Sequence, residues 1–148
     1  MRVKRSTRAG QRGSVMLEFA LSSSLMFLLF FGVVNFARLF TVAEVAQDSA
    51  CAGTQYGALQ PANYGDFTGM QNAAYNDAGN PSGMTATASQ FCTCDIGGSH
   101  VDCTSSCNGS TLMKYLEVDV TVPLNLAMTY PGMPAITSLS RSSIVRVQ

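Results

Sequence analysis

Nineteen consecutive uncharged residues, Phe19 to Ala37, stand between Glu18 and Arg38. As a helix rising about 1.5 Å per residue they would span roughly 28 Å, close to the ~30 Å hydrocarbon core of a bilayer. Ahead of this run, Met1 to Gly13 carry Arg2, Lys4, Arg5, Arg8 and Arg12 and no acid. The positive-inside bias keeps such an end cytoplasmic and directs the rest of the chain outward. A secretory signal peptide also starts basic and turns apolar, but its apolar part usually runs only about 7–15 residues and ends at small residues. Here the run is longer and Arg38-Leu-Phe follows it. An uncleaved membrane anchor is the other rival. A lipoprotein site at Cys51 is disfavoured, because Asp48-Ser49-Ala50 lacks the expected leucine and lies beyond the apolar segment.

At 148 residues the chain allows one modest domain besides the membrane segment, and it has no internal repeat. Its formal net charge is zero, with nine basic and nine acidic side chains. Five of the nine bases lie in residues 1–13, so removing them would leave four bases against nine acids and an acidic exterior. Nucleic-acid binding is disfavoured: the basic cluster faces the cytoplasm, and no basic stripe interleaved with aromatics appears elsewhere.

From Ser14 to about Ala58 there is no proline, and the segment reads as one long helix. Its outer part is amphipathic, with Val42, Val45, Ala46, Ser49 and Ala52 on one face and Glu44, Gln47 and Asp48 on another. Gly53 and Gly57 weaken its end, and Pro61 closes it. Asp66 to Ala78 reads as a short helix with Asp66 as N-cap and Phe67, Met70, Ala74 and Ala78 on the inner side, broken by Gly79-Asn-Pro-Ser-Gly83. Met84 to Cys94 reads as a first strand and Gly97 to Ser110 as a loop. Leu116, Val118, Val120, Val122, Leu124 and Leu126 alternate with Glu117, Asp119, Thr121, Pro123 and Asn125, the pattern of a strand with one buried and one wet face. Pro123 suggests an edge or a bulge. Tyr130-Pro-Gly-Met-Pro134 turns the chain, and Thr137 to Val147 gives the last strand. A helix followed by three strands implies an α+β fold, an antiparallel three-stranded sheet laid on the outer part of the helix.

Gly13-x4-Glu18-Phe19, the apolar helix and the run Ala46-Gln-Asp-Ser-Ala-Cys-Ala-Gly-Thr-Gln-Tyr-Gly-Ala58 together resemble the TadE-like minor pilins of tight-adherence pili. The resemblance covers about residues 10–58, and beyond them mainly the layout of a small β-rich head. It implies cleavage between Gly13 and Ser14 by a prepilin peptidase. Without a Cβ, Gly13 suits a site where the chain must leave the helix and present an extended peptide bond. It also implies that Glu18 meets the new α-amino group of an adjacent subunit during assembly, with Phe19 in the same motif. Left to itself, Glu18 would sit in the first turns of its own helix, favoured by the dipole and within i,i+4 reach of its own Ser14 amine. Ser14 replaces the phenylalanine that begins many type IV pilins, and the cysteine cluster is not general in the family. Ser22-Ser-Ser24, Gly32 and Asn35 suit close helix packing, or bond back to their own helix. Arg38 snorkels to the outer interface.

Cys92, Cys94, Cys103 and Cys107 fall within sixteen residues, with His100 among them. Outside the membrane they read first as two disulfides. Zinc held tetrahedrally by the four thiolates, or by three of them and His100, is the rival, but paired C-x2-C knuckles are absent, as is the redox C-x-x-C. In a strand, Cys92 and Cys94 point to one face and do not join each other. Partners across an antiparallel hairpin keep a nearly constant sum of residue numbers, which favours the nested pairing, Cys92 with Cys107 and Cys94 with Cys103, over the crossed one. Cys51 reads as a small buried residue that stays reduced, with an intermolecular disulfide partner as the rival reading.

The expected architecture is a basic leader over 1–13, a helix over 14–58 with 19–37 in the membrane, and an extracytoplasmic head over 59–148. The expected function is that of a minor pilin or pseudopilin, a structural subunit with no catalysis and no cofactor. One histidine, no nucleophile-and-base pairing and no phosphate loop argue against an enzyme. The implied partners are prepilin peptidase, other pilins and the inner-membrane assembly platform, and the implied place is the inner membrane or an extracellular pilus. A membrane-anchored binding module that never polymerises is the alternative.

Overall fold

A computed structural model describes residues 9–124 and 137–148 of the chain. The chain forms two compact units, Met1–Ala37 and Arg38–Gln148. Helix α1 spans Ala9–Ala58 and contributes to both. The expected start at Ser14 is thus five residues late. Ala9, Gln11 and Arg12 are good helix formers, and Gly13 costs a helix interior only about 1 kcal/mol.

In the second unit, α1 ends at Ala58 and a 3-10 turn opens on Pro61 and runs to Gly65. Proline suits that first position because its fixed φ fits and its missing N–H has no partner there. Helix α2, Phe67–Asp77, follows. Asp66 caps it as expected, its side chain accepting from the Gly69 N–H at 2.9 Å. Gly79 and Asn80, at φ of 73° and 58°, then turn the chain out of the helix. Three strands complete the unit: β1 Thr85–Thr93, β2 Met113–Pro123 and β3 Ser138–Arg146, in the order β1-β2-β3 and antiparallel throughout.

The alternation in β2 does what its period demands. Leu116, Val118, Val120 and Val122 are buried, as is Leu124 just beyond, while Asp119 is exposed. Leu126, Asn125 and the turn at Tyr130–Pro134 lie outside the described residues. Pro123 marks neither an edge strand nor a bulge, because β2 is the central strand. It is the last residue of β2, two beyond the Thr85↔Thr121 pair that ends the β1 ladder, so its missing N–H opposes no β1 carbonyl.

The core joins Ala46 and Ala50 of α1, Met70 and Ala74 of α2, and Met84, Ala86, Leu116, Val118, Val120 and Val122 from the sheet side. The buried stripe of α1 is Ala46, Ser49, Ala50, Gly53, Thr54 and Gly57, whereas Val45 and Ala52 are only half-buried. Close approach explains the rotation from the expected face. A Cβ on Gly53 would lie 2.9 Å from the Met70 carbonyl oxygen and 3.1 Å from Val118, and one on Gly57 would lie 2.7 Å from both Leu116 and Met70. These glycines therefore form the contact, besides loosening the helix end. Polar ties reinforce it: Thr54 Oγ1 is 3.0 Å from Ser143 Oγ on β3, and the Tyr64 hydroxyl donates to the Val147 carbonyl at 3.0 Å.

Candidate functional site

In the first unit, Gly13, Ser14, Glu18 and Phe19 all lie on α1. Ser14 and Glu18, four residues apart, are both exposed, and Phe19 is 72% exposed. With the helix starting at Ala9, Glu18 stands at about its third turn, beyond the reach of the N-terminal field. Only a chain beginning at Ser14 would bring the carboxylate close to a free helix end. Gly13 is helical here, so the extended peptide bond expected at that position requires local unwinding.

The apolar run that follows is large and exposed. Leu21, Leu25, Met26, Phe27, Leu28, Leu29, Phe30, Val33 and Phe36 all face outward, with Phe36 at 68% and Phe27 at 63%. In water each such side chain forgoes about 1.5–3 kcal/mol of burial, so this surface calls for lipid or other helices. Helix α1 is long and apolar enough to cross a membrane. Ser23 and Ser24 bond back to the Ala20 and Leu21 carbonyls at 3.0 and 2.8 Å, and a Cβ on Gly32 would meet open space.

In the second unit, the cysteines form two disulfides in the crossed pairing, Cys92–Cys103 and Cys94–Cys107, with Cα separations of 5.1 and 5.5 Å. The nested expectation fails because residues 92–107 are not a hairpin. β1 pairs with β2, and the loop touches the free edge of β1 at a single bridge, Cys92↔Val101, where the Val101 N–H donates to the Cys92 carbonyl at 2.8 Å. A turn closed by the Ser105 N–H on the Asp102 carbonyl then reverses the chain and returns Cys107 to Cys94. The four sulfurs that zinc would need are bonded to one another. Among the described residues no group of His, Cys, Asp and Glu is placed to hold a metal. Cys51 is free and half-buried, its sulfur 3.5 Å from the Gln47 amide nitrogen.

The loop carries His100 onto the outer face of the sheet, where its ring stacks on Phe91 at 4.2 Å. Phe91 in turn stacks on Tyr115, its partner in the register, at 5.2 Å. Period-2 alternation puts Phe91 and Tyr115 on one face, but nothing in the sequence spacing places His100 there. Tyr56 was also silent in the sequence. Its hydroxyl donates to Asp66 Oδ2 at 2.9 Å, and that hydrogen bond, with the nearby negative charge, raises the phenol above its ordinary value of 10.0.

Residues 13–54 match the family of TadE-like proteins. This TadE-like segment begins at the glycine of Gly13-x4-Glu18, takes in the whole exposed apolar run, and ends in the buried stripe beside Gly53. The disulfide loop and the sheet lie outside it. Neither the curated proteins nor the solved structures give a match.

Proposed function

We propose that the chain is a minor pilin or pseudopilin, a structural subunit of a Tad-type pilus or a related secretion machine. The TadE-like match over residues 13–54 carries this reading, since it covers the glycine, the glutamate and the apolar helix together. In it, the leader stays cytoplasmic and residues 19–37 cross the inner membrane. Prepilin peptidase cuts after Gly13, and the head faces outward. Cleavage gives Ser14 a positive α-amino group. The Glu18 carboxylate of a neighbouring subunit offers it a charge-assisted contact, roughly twice as strong as a neutral hydrogen bond. Other pilins and the assembly platform cover the exposed apolar face of α1.

Glu18→Gln tests the role of the carboxylate, because the amide keeps the shape and loses the charge. The variant is expected to insert and to be processed normally, while its recovery with the other pilins falls severalfold. Undiminished co-purification and pilus assembly would overturn the role assigned to Glu18.

A further inference from the structure

The two disulfides lie outside the main core cluster, although Cys92 is itself fully buried. They fix a loop that continues the aromatic stack of β1 and β2, and beside that stack is an open groove of about 380 Å3. Its walls include Phe91, His100, Tyr115, Ile144, Ile96 and Thr93. Ile96 is 85% and Ile144 53% exposed, so apolar surface is held open to water by a covalently braced frame. Such bracing reduces the ordering cost of binding a ligand. The volume falls in the range of small-molecule sites, about 300–1,000 Å3.

Two polar groups along these walls are poorly satisfied, and a third is open to water. Thr93 is 3% exposed, and its hydroxyl has no hydrogen-bond partner among the described residues. A buried hydroxyl left unpaired costs about 1–3 kcal/mol. Among the described residues the Tyr115 hydroxyl donates only to the Met113 thioether at 3.7 Å, a weak acceptor. His100 is exposed and offers a ring donor and acceptor. Among the described residues none lining the groove is a carboxylate, lysine or arginine, and Glu117 and Arg146, the register partners of Ile144 and Tyr115, flank it with opposite charges, so a charged ligand finds no net counter-charge there.

We propose that this groove binds a neutral saccharide. A pyranose has apolar C–H faces to lie against Ile96, Ile144 and the edge of the His100–Phe91–Tyr115 stack. Its rim of hydroxyls both donates and accepts, and suits Tyr115, His100 and Thr93, whose hydroxyl turns toward the ligand by rotation about χ1. A purely apolar ligand would satisfy none of these polar groups, and a charged one would meet a like charge at one flank as well as an opposite charge at the other. The proposal concerns the head alone and does not rest on the pilus reading.

The test uses the full chain in lipid nanodiscs against an array of neutral, acidic and amino-bearing glycans, followed by titration with the best neutral oligosaccharide. Binding to neutral glycans is expected. Thr93→Val and Tyr115→Phe, which keep shape and remove one hydroxyl each, should weaken it roughly five- to tenfold. Thr87→Val, on the same sheet face but outside the groove, should leave it unchanged. Peptide mapping of Cys92–Cys103 and Cys94–Cys107 in each variant verifies that the loop is intact. No binding to any neutral glycan, preference for charged glycans, or titrations unaffected by Thr93→Val and Tyr115→Phe would each overturn the proposal.

Discussion

The inner and outer parts of α1 obey opposite rules. Over Phe19–Ala37 the helix carries large apolar side chains and leaves nearly all of them exposed, whereas beyond Arg38 it buries Ala46, Ala50, Gly53 and Gly57, the smallest residues available. Size follows the partner. The outer part has its partner within the chain, a sheet and α2 that approach to backbone distance, and only small residues admit them. The other stretch presents bulk that no described part of the chain covers, a surface suited to lipid or to other helices. Helix α1 thus presents an exposed apolar surface, long enough to cross a membrane, over one stretch and a wall of a folded core over the other.

The largest effect expected from breaking this contrast comes from the covalent frame. Replacing Cys92, Cys94, Cys103 and Cys107 by Ser should destabilise the head by up to roughly 3 kcal/mol per bridge, an upper figure for overlapping loops. Membrane insertion should be unchanged. Thermal unfolding of the head together with membrane fractionation checks both halves, and loss of insertion would mean that the two regions are not independent.

The glycines sharpen the contrast more directly. Gly53→Val drives a side chain into the Met70 carbonyl and Val118, and should cost about 1–3 kcal/mol in the unfolding of the head. Gly32→Val, with open space around it, should leave that unfolding unmoved. Equal effects at both positions would erase the distinction.

A smaller effect belongs to the cap. Asp66→Ala removes both the cap of α2 and the acceptor for Tyr56, and should cost about 1 kcal/mol. The pH dependence carries a definite sign. Tyr56 holds its proton more tightly when folded, so its contribution is complete below about pH 10. It is lost as pH rises through the higher folded value. Denaturant melts between pH 8 and 11 should fall less steeply in Tyr56→Phe than in the parent.

Much of this was legible beforehand because it depends on local chemistry. The β2 alternation, the Asp66 cap and the break at Gly79 and Asn80 are set by residues close in sequence, and the observed strands β1 and β3 begin and end within one residue of expectation. What escaped depends on which elements meet. Gly53 and Gly57 read as helix weakeners because their value lies in Met70 and the sheet, distant in sequence. The disulfide pairing failed because a constant residue sum presumes a hairpin, and β1 had taken β2 as its partner instead. Pro123 read as an edge signal because nothing in the sequence says where the neighbouring strand ends. On the candidate site, the motif Gly13-x4-Glu18 was legible, whereas the stacking of His100 on Phe91 arises only from the loop's path around the edge of β1.

The assignment of the inner helix to a pilus rests on what happens at Gly13. Mass spectrometry of the protein from native membranes with active prepilin peptidase tests it most directly. The account predicts a mature chain that begins at Ser14 and lacks the thirteen-residue basic leader, together with accumulation of the uncut form in a Gly13→Leu variant. An intact chain still bearing Met1 in those membranes would contradict it and leave α1 as a simple anchor.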